Sequence, residues 1–213
     1  MTVKRSCLVA GLLIVALAWL LLALGDTTSF SIHMIVHMAV VAAAAPFMAY
    51  GMAGGSLDFV SRSRVLTPVT ASMLELVTVW GWHLPAAREW AETSMLARVL
   101  EQACFLAAGL ILWLACLGGT DPERDSKRLG GVLGLLFTSM HMTLLGALLA
   151  LSPRPLYGAG EVTCFGIVLS AGQDQQIGAV IMLMVGAAVY LAGGVALLGR
   201  TLREPESHPL GDR

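Results

Sequence analysis

Charged residues are scarce in this chain. Of its 213 residues, 13% are Asp, Glu, Lys or Arg, whereas 57% are hydrophobic. Soluble domains carry about 25% charged residues, so a fold with this little charge is poorly suited to water. The 23 glycines and the Ala-containing runs suit helices whose backbones approach closely inside lipid. The composition therefore predicts an α-helical bundle embedded in a membrane.

Several signatures of soluble function are also missing. The formal net charge is -1, so the basic surface that nucleic acid requires is absent and nucleic acid is not an expected partner. The cysteines are scattered and form no C-x-x-C pair, which disfavours a disulfide scaffold or a structural zinc site. The chain has no nucleophile elbow, phosphate loop or H-E-x-x-H motif. We therefore predict that the protein is not an enzyme.

Long apolar runs recur along the chain, each near the roughly 20 residues that a transmembrane helix needs. We predict an all-α fold with six transmembrane helices in a single domain, residues 1–202, followed by a polar cytoplasmic tail, residues 203–213. The first run follows two basic residues and ends in small ones, so a cleaved signal peptide, which would leave five helices, is the alternative. Its length favours a retained helix. The runs are Cys7–Leu24, Ile32–Met52, Val65–Trp82, Leu96–Leu117, Leu129–Leu151 and Ile177–Gly199.

The basic residues indicate how these helices are oriented, because translocated loops are depleted in Lys and Arg. With a cytoplasmic N-terminus, only Arg88, Arg98 and Arg154 fall outside. The other ten fall inside: Lys4, Arg5, Arg62, Arg64, Arg124, Lys127, Arg128, Arg200, Arg203 and Arg213. We therefore predict that both termini are cytoplasmic. Four of the five histidines then lie toward the outer side, and the fifth, His208, lies in the tail.

The histidines and nearby methionines are the candidate metal ligands. His33 and His37 are four residues apart, so a helix projects them from one face about a turn apart. Imidazole and thioether together suit copper better than magnesium or calcium. The alternative is that the methionines pack the core and the histidines form structural hydrogen bonds, with His33 exposed at the interface. The candidate ligands are His33, His37, His83, His141, Met34 and Met38.

Three acidic residues lie in or beside the predicted spans. Glu75, near the middle of the third run, must be protonated or paired, and either an interhelical hydrogen bond or ion handling accounts for it. Glu101 is expected to form a structural pair with Arg98 at helical spacing. Asp174 is expected to cap the start of the sixth helix. Pro46 should kink the second helix and free a carbonyl.

Four segments, in this order, resemble the CtaG family of bacterial cytochrome c oxidase assembly factors. They are His33-Met-Ile-Val-His37, Trp80-Gly-Trp-His83-Leu-Pro85, Leu151-Ser-Pro-Arg-Pro-Leu-Tyr157 and Asp174-Gln-Gln-Ile-Gly178, and the resemblance runs from about residue 30 to residue 200. His33, His37, His83 and His141 align with the outer-face histidines of the family. The chain departs from the pattern at Glu101-Gln102, where an E-H pair is expected, and at Leu183, where an aromatic residue is often found. The first departure removes a potential ligand.

The resemblance implies a protein of the bacterial plasma membrane that assists copper-dependent maturation of a haem-copper oxidase. Its expected cargo is Cu(I), and its expected partners are an oxidase subunit, a periplasmic copper chaperone and the surrounding lipid. Three other functions remain open. They are a metal-free structural chaperone for an oxidase subunit, a b-type haem carrier with axial histidines, and a copper permease with Met73, Glu75 and Cys116 on its inner path.

Overall fold

The helices of a computed structural model, which describes residues 2–25, 28–118 and 121–203, account for most of the chain. The predicted all-α class is confirmed, with one small antiparallel hairpin added near the C-terminal helix. Residues 204–213 of the predicted tail, including His208, lie outside the described residues. The elements are α1 (Thr2–Leu24), α2 (Phe30–Met38), a π-helical segment (Ala39–Ala44), α3 (Ala45–Met52), α4 (Pro68–Trp82), α5 (Pro85–Thr93), α6 (Met95–Leu117), α7 (Asp121–Ala150), β1 (Glu161–Cys164), β2 (Ile167–Ser170) and α8 (Ala171–Arg203).

Five helical stretches within the described residues are long and apolar enough to cross a membrane. The predicted third span is shorter than expected, because α4 has 15 residues and begins only at Pro68, where the Thr67 side chain caps it. At 1.5 Å per residue α4 is about 22 Å long, less than a bilayer core of about 30 Å. The multi-pass architecture is thus confirmed for five spans. They are Val3–Leu24, Phe30–Met52, Met95–Leu117, Arg128–Ala150 and Ala171–Leu202.

The second span departs from a regular α-helix next to Pro46, as predicted, and a π-helical segment precedes the proline. In the π-helical segment, the amide just before Pro46 donates to the carbonyl of Val40, five residues back. The next donor in that register would be Pro46, which has no N–H, so the carbonyl of Val41 is left without a partner in its own helix. It accepts hydrogen bonds from Trp113 Nε1 (3.2 Å) and the Tyr190 hydroxyl (3.4 Å) instead. The proline therefore links this span to α6 and α8.

Small residues set the closest helix contacts. A Cβ atom added at Gly146 of α7 would lie 3.0 Å from the carbonyl oxygen of Ala179 in α8. A Cβ atom at Gly11 of α1 would lie 3.0 Å from both the carbonyl oxygen of Ala44 and the amide nitrogen of Met48 in the second span. Glycine is thus required where these backbones meet, as is common between helices in lipid. The first predicted span is packed against the bundle by this contact.

Polar groups are sorted to two ends of the bundle. We call one the histidine end, where α2, α5, α6 and α8 begin and α1, α4 and α7 end, and where Tyr157 donates to the His83 carbonyl. We call the other the basic end, where α1 begins and α3 ends, and where Lys4 Nζ donates to the Ala53 carbonyl at 2.6 Å. The described residues of the connections predicted to be cytoplasmic lie at the basic end. Which membrane face each end meets stays a prediction.

Candidate functional site

Three of the four predicted outer histidines come together at the histidine end. His33 and His37 lie on α2, and His83 directly follows α4. The ring centroids are 6.4 Å apart for His33 and His37, 6.1 Å for His33 and His83, and 5.5 Å for His37 and His83. The alternative that His33 is an exposed interfacial residue was wrong, because His33 is 1% exposed. The Arg88 side chain of α5 lies against it, which the sequence pattern of α2 cannot reveal.

The ring nitrogens of the three histidines differ in availability. His83 Nδ1 lies 2.6 Å from the Val79 carbonyl and donates to it, which leaves Nε2 with a lone pair and no partner. Neither ring nitrogen of His37 has a hydrogen-bond partner among the described residues, and its ring packs edge-on against Phe105 at 4.1 Å. Burial lowers the pKa of His83, which lies beyond the end of α4, to about 4. Two neutral imidazoles therefore offer free lone pairs.

His33 is held by charged neighbours instead. Arg88 Nη1 donates to His33 Nδ1 at 2.8 Å, because a guanidinium can only donate. His33 Nε2 then carries the proton and faces Glu101 Oε1 at 3.5 Å. Both of its nitrogens are therefore engaged, and His33 is a positioning residue in this arrangement.

Arg88 is the site residue that sequence reasoning missed, since it was counted only as an outer-loop cation. It is 4% exposed and lies 3.0 Å from Glu92 through Nε and 3.9 Å from Glu101 through Nη1. The available signal was the spacing in α5, where Arg88 and Ala91 share a face that is buried.

The predicted pair between Arg98 and Glu101 was wrong. Arg98 donates to backbone carbonyls at the end of α5, those of Ala91 (3.3 Å) and Glu92 (2.9 Å). Glu101 turns inward and is fully buried beside Arg88 and His33. The Glu101 carboxylate therefore belongs to a buried cluster with Arg88 and His33 and does not form an exposed ion pair along its own helix.

The remaining predicted ligands are distributed elsewhere in the core. His141 is 2% exposed on α7, its ring contacts Phe137 at 5.6 Å, and neither ring nitrogen has a described partner. Met34 faces α8, where its Cγ lies 3.0 Å from a Cβ built at Gly178, and Met38 is buried in the apolar core. Across the described ranges, no group of three or more His, Cys, Asp or Glu side chains is arranged to hold a metal ion. The structure thus brings together a pair of free imidazoles.

Glu75 lies deeper in the bundle, and its carboxylate is fully buried. Oε1 accepts a hydrogen bond from the Tyr190 hydroxyl at 2.8 Å, which joins α4 to α8. One turn earlier, the hydroxyls of Ser72 and Thr138 lie 2.6 Å apart and join α4 to α7. The interhelical hydrogen bond that was one explanation of Glu75 is therefore present.

Asp174 caps α2, not its own helix as predicted. Its carboxylate accepts from the Ser29 hydroxyl (3.0 Å), the Phe30 amide (2.5 Å) and the Ser31 amide (3.2 Å). A carboxylate satisfies the free amides at a helix start and complements the helix dipole. Because α2 carries His33 and His37, a residue of α8 fixes the start of this helix and so helps to position the two rings.

The connection between α7 and α8 fixes the end of α4. The Tyr157 hydroxyl donates to the His83 carbonyl at 2.7 Å, and its ring stacks on Phe30 at 4.5 Å. Gln175 donates through Nε2 to the Leu149 carbonyl (2.9 Å) and accepts from the Leu156 amide (2.6 Å). The segments that carry the family resemblance therefore meet around the His37 and His83 rings.

These features define a multi-pass α-helical membrane protein with a buried imidazole pair at one end of its bundle. The chain belongs to the family of cytochrome c oxidase caa3 assembly factors, Caa3_CtaG, whose pattern matches residues 2–204. No curated protein and no solved structure matches it. The family match confirms the resemblance found in the sequence. The protein is thus an oxidase assembly factor, and its partner is an oxidase subunit.

Proposed function

We propose that this assembly factor presents Cu(I) to a haem-copper oxidase subunit at the histidine end, on the outer face of the bacterial plasma membrane. The observation that carries the proposal is the pair of free, buried imidazoles of His37 and His83. His83 lies at the end of α4, next to a connection that a partner subunit can reach, and His37 lies about two turns inside the start of α2.

The geometry of the two rings fits a shared metal ion. Two imidazole nitrogens about 2 Å from one metal place their ring centroids roughly 5 to 6.5 Å apart. The His37 and His83 centroids are 5.5 Å apart. Neutral nitrogen donors favour a soft or borderline cation over magnesium or calcium, which prefer oxygen ligands. A two-nitrogen site also leaves coordination positions open.

Open positions suit a cargo that must leave again. A ligand of the incoming subunit can bond to the ion before both imidazoles have released it, so the ion is never without ligands. Gln102, which stands where the family pattern is expected to supply a histidine, is buried on α6 and offers no imidazole. No change in copper oxidation state is needed, so the protein acts without turnover chemistry.

A double substitution tests the proposal. His37→Ala with His83→Ala should abolish binding of one equivalent of Cu(I) by the purified, detergent-solubilised protein, measured anaerobically by competition with a coloured chelator. His141→Ala is the matched control, because it removes an equally buried histidine that makes no ring contact with the pair, and it should bind as the wild type does. Cu(I) binding that survives the double substitution would contradict the proposal. A Soret band in the purified protein would instead favour haem as the ligand.

A metal-free holding function is the second candidate. Apolar side chains are exposed around the histidine end, including Trp90 (49%) and the hairpin residues Phe165 (64%) and Ile167 (63%). Such a surface can hold an unassembled subunit without copper. Co-purification of an oxidase subunit with the His37→Ala, His83→Ala variant at wild-type yield, together with normal oxidase copper content, would favour it over copper delivery.

A further inference from the structure

The β1–β2 hairpin distributes its polarity along its length rather than between its two faces. At its base the paired residues Glu161 and Ser170 are exposed. At its tip Phe165, Ile167 and Val168, which we call the tip residues, are 64%, 63% and 60% exposed. A hairpin with one face in water has apolar residues on the other face only, whereas Ile167 and Val168 point to opposite faces. The whole tip is therefore suited to apolar surroundings.

The turn at the tip holds an aromatic residue in an unfavourable backbone conformation. Phe165 has a φ of 48° and Gly166 a φ of 83°, and these are the left-handed values of a two-residue hairpin turn. Asn and Gly adopt such a φ readily at the first of these positions, whereas a bulky residue does so only at a cost in free energy. Because the Phe165 side chain is mostly exposed, packing within the described chain offsets little of that cost. Contact with something outside the chain would account for an aromatic residue here.

The depth of the tip follows from its position beside α1. The spanning stretch Val3–Leu24 has 22 residues and is about 33 Å long, close to a bilayer core of about 30 Å. Leu24 therefore lies near the boundary of the hydrocarbon core. A cavity of about 310 Å³ is lined by Leu21 and Leu24 on one side and by Phe165 and Gly166 on the other. The tip thus lies next to the last turn of α1, at the level of this boundary.

The exposed apolar surface of α1 continues onto the hairpin. Leu17, Leu20 and Leu24 share one side of α1 and are 65%, 53% and 79% exposed, as expected for side chains that face lipid. Phe165 lies across the cavity from Leu24, so lipid that covers this stripe can also cover the tip. We propose that the tip residues insert into the membrane interface beside α1 and anchor the connection between α7 and α8 to the lipid. The free energy comes from removing their apolar surface from water.

Spin labels on single cysteines test this insertion in the full chain, reconstituted in lipid nanodiscs. The four native cysteines are free, so they can first be replaced by Ser. A label at Val168→Cys should collide with oxygen, which concentrates in lipid, more often than with an aqueous nickel chelate. Glu161→Cys, at the base of the same hairpin, is the matched control, and its label should show the opposite preference. Preferential collision with the nickel chelate at both positions would overturn the proposal.

The contribution of the tip side chains is tested by Phe165→Asn with Ile167→Thr. This variant keeps the hairpin, because Asn-Gly favours the turn and Thr favours a strand. Its label at Val168→Cys should shift from preferential collision with oxygen to preferential collision with nickel, whereas Phe165→Leu should leave the label in lipid. A label that stays in lipid in the double variant would show that the tip side chains do not hold the hairpin there, and would overturn the proposal.

The wild-type chain allows a measurement that needs no substitution. Phosphatidylcholine with a photoactivatable diazirine on its acyl chain should label residues 165–168 and leave Glu161 unlabelled, as mapped by mass spectrometry of the peptides. Equal labelling of the base and the tip, or no labelling of the tip, would contradict the insertion. Protection of the Val168→Cys label from both oxygen and nickel only when an oxidase subunit is bound would assign the tip to that subunit and overturn the lipid assignment.

Discussion

Arg88 is the residue on which the buried charge cluster depends. It donates to His33 and lies within ion-pair distance of both Glu92 and Glu101. Burial of this cluster means that its charges are stable only together. A single side chain of α5 therefore contacts both α2 and α6 at the histidine end.

We expect Arg88→Met to destabilise the protein by about 3–5 kcal/mol, because it leaves buried Glu101 without its cation. Adding Glu101→Gln should recover part of that loss, because the uncompensated charge is then removed. Arg98→Met, which removes hydrogen bonds to two backbone carbonyls and a cation that makes no direct ion pair with Glu101, is the control. Denaturation of the purified variants in detergent measures all three. Equal destabilisation by both arginine substitutions would contradict the prediction that the charge of Arg88 is needed beside Glu101.

Helix α2 is the element that the site depends on, and its start is held by Asp174 from the far end of the sequence. Three donors of residues 29–31 converge on one carboxylate. The helix then carries both histidines within its two turns. The cap of α2 and its two histidines are therefore supplied by different parts of the chain.

Asp174→Ala should release this cap, at a cost of about 1–2 kcal/mol. Hydrogen exchange measured by mass spectrometry should become faster for the amides of residues 30–33, since these lose their acceptor or their helical turn. Gln176→Ala, a change two residues away on the exposed side of α8, should leave these amides at the wild-type rate. Unchanged exchange in the Asp174 variant would mean that α2 starts without its cap.

How far the sequence predicts these elements depends on how local each signal is. Five spans were predicted within a few residues, because the hydropathy of a segment depends only on its own sequence. At α4, the helix-start signal of Thr67-Pro68 was present in the sequence but was not used. The cap on α2 joins residues about 144 positions apart, and no periodicity reveals it. Arg88 was assigned to a loop because its burial depends on how α5 folds back. The histidine cluster was predicted by orientation, whereas the separation of Met34 from it required the packing.

At the scale of the whole molecule, α7 and α8 form the longest helix pair in the described chain, and its packing depends on small residues. Gly146 contacts the backbone of α8, whereas a Cβ atom at Gly199 of α8 would meet nothing within 4 Å. A glycine-to-alanine substitution can therefore be compared at a tightly packed position, Gly146, and at an open one, Gly199.

Gly146→Ala should lower stability by about 1–3 kcal/mol, because the new methyl group forces α7 and α8 apart. Gly199→Ala should leave stability unchanged or raise it by up to about 1 kcal/mol, because alanine is the better helix former. Thermal unfolding of both variants in the same detergent gives the comparison. Similar melting temperatures for the two variants would mean that the helices tolerate a wider separation.

The π-helical segment has a geometric effect on both ends of the second span. One additional residue in a helical turn rotates everything beyond it by about 100° relative to an unbroken α-helix. The His33 and His37 rings before the segment pack against Phe105 of α6, and Tyr50 after it lines a cavity at the basic end. The π-helical segment thus sets the angle between the half of this span that carries His33 and His37 and the half that carries Tyr50. Restoring a regular helix would misalign one half whenever the other kept its place.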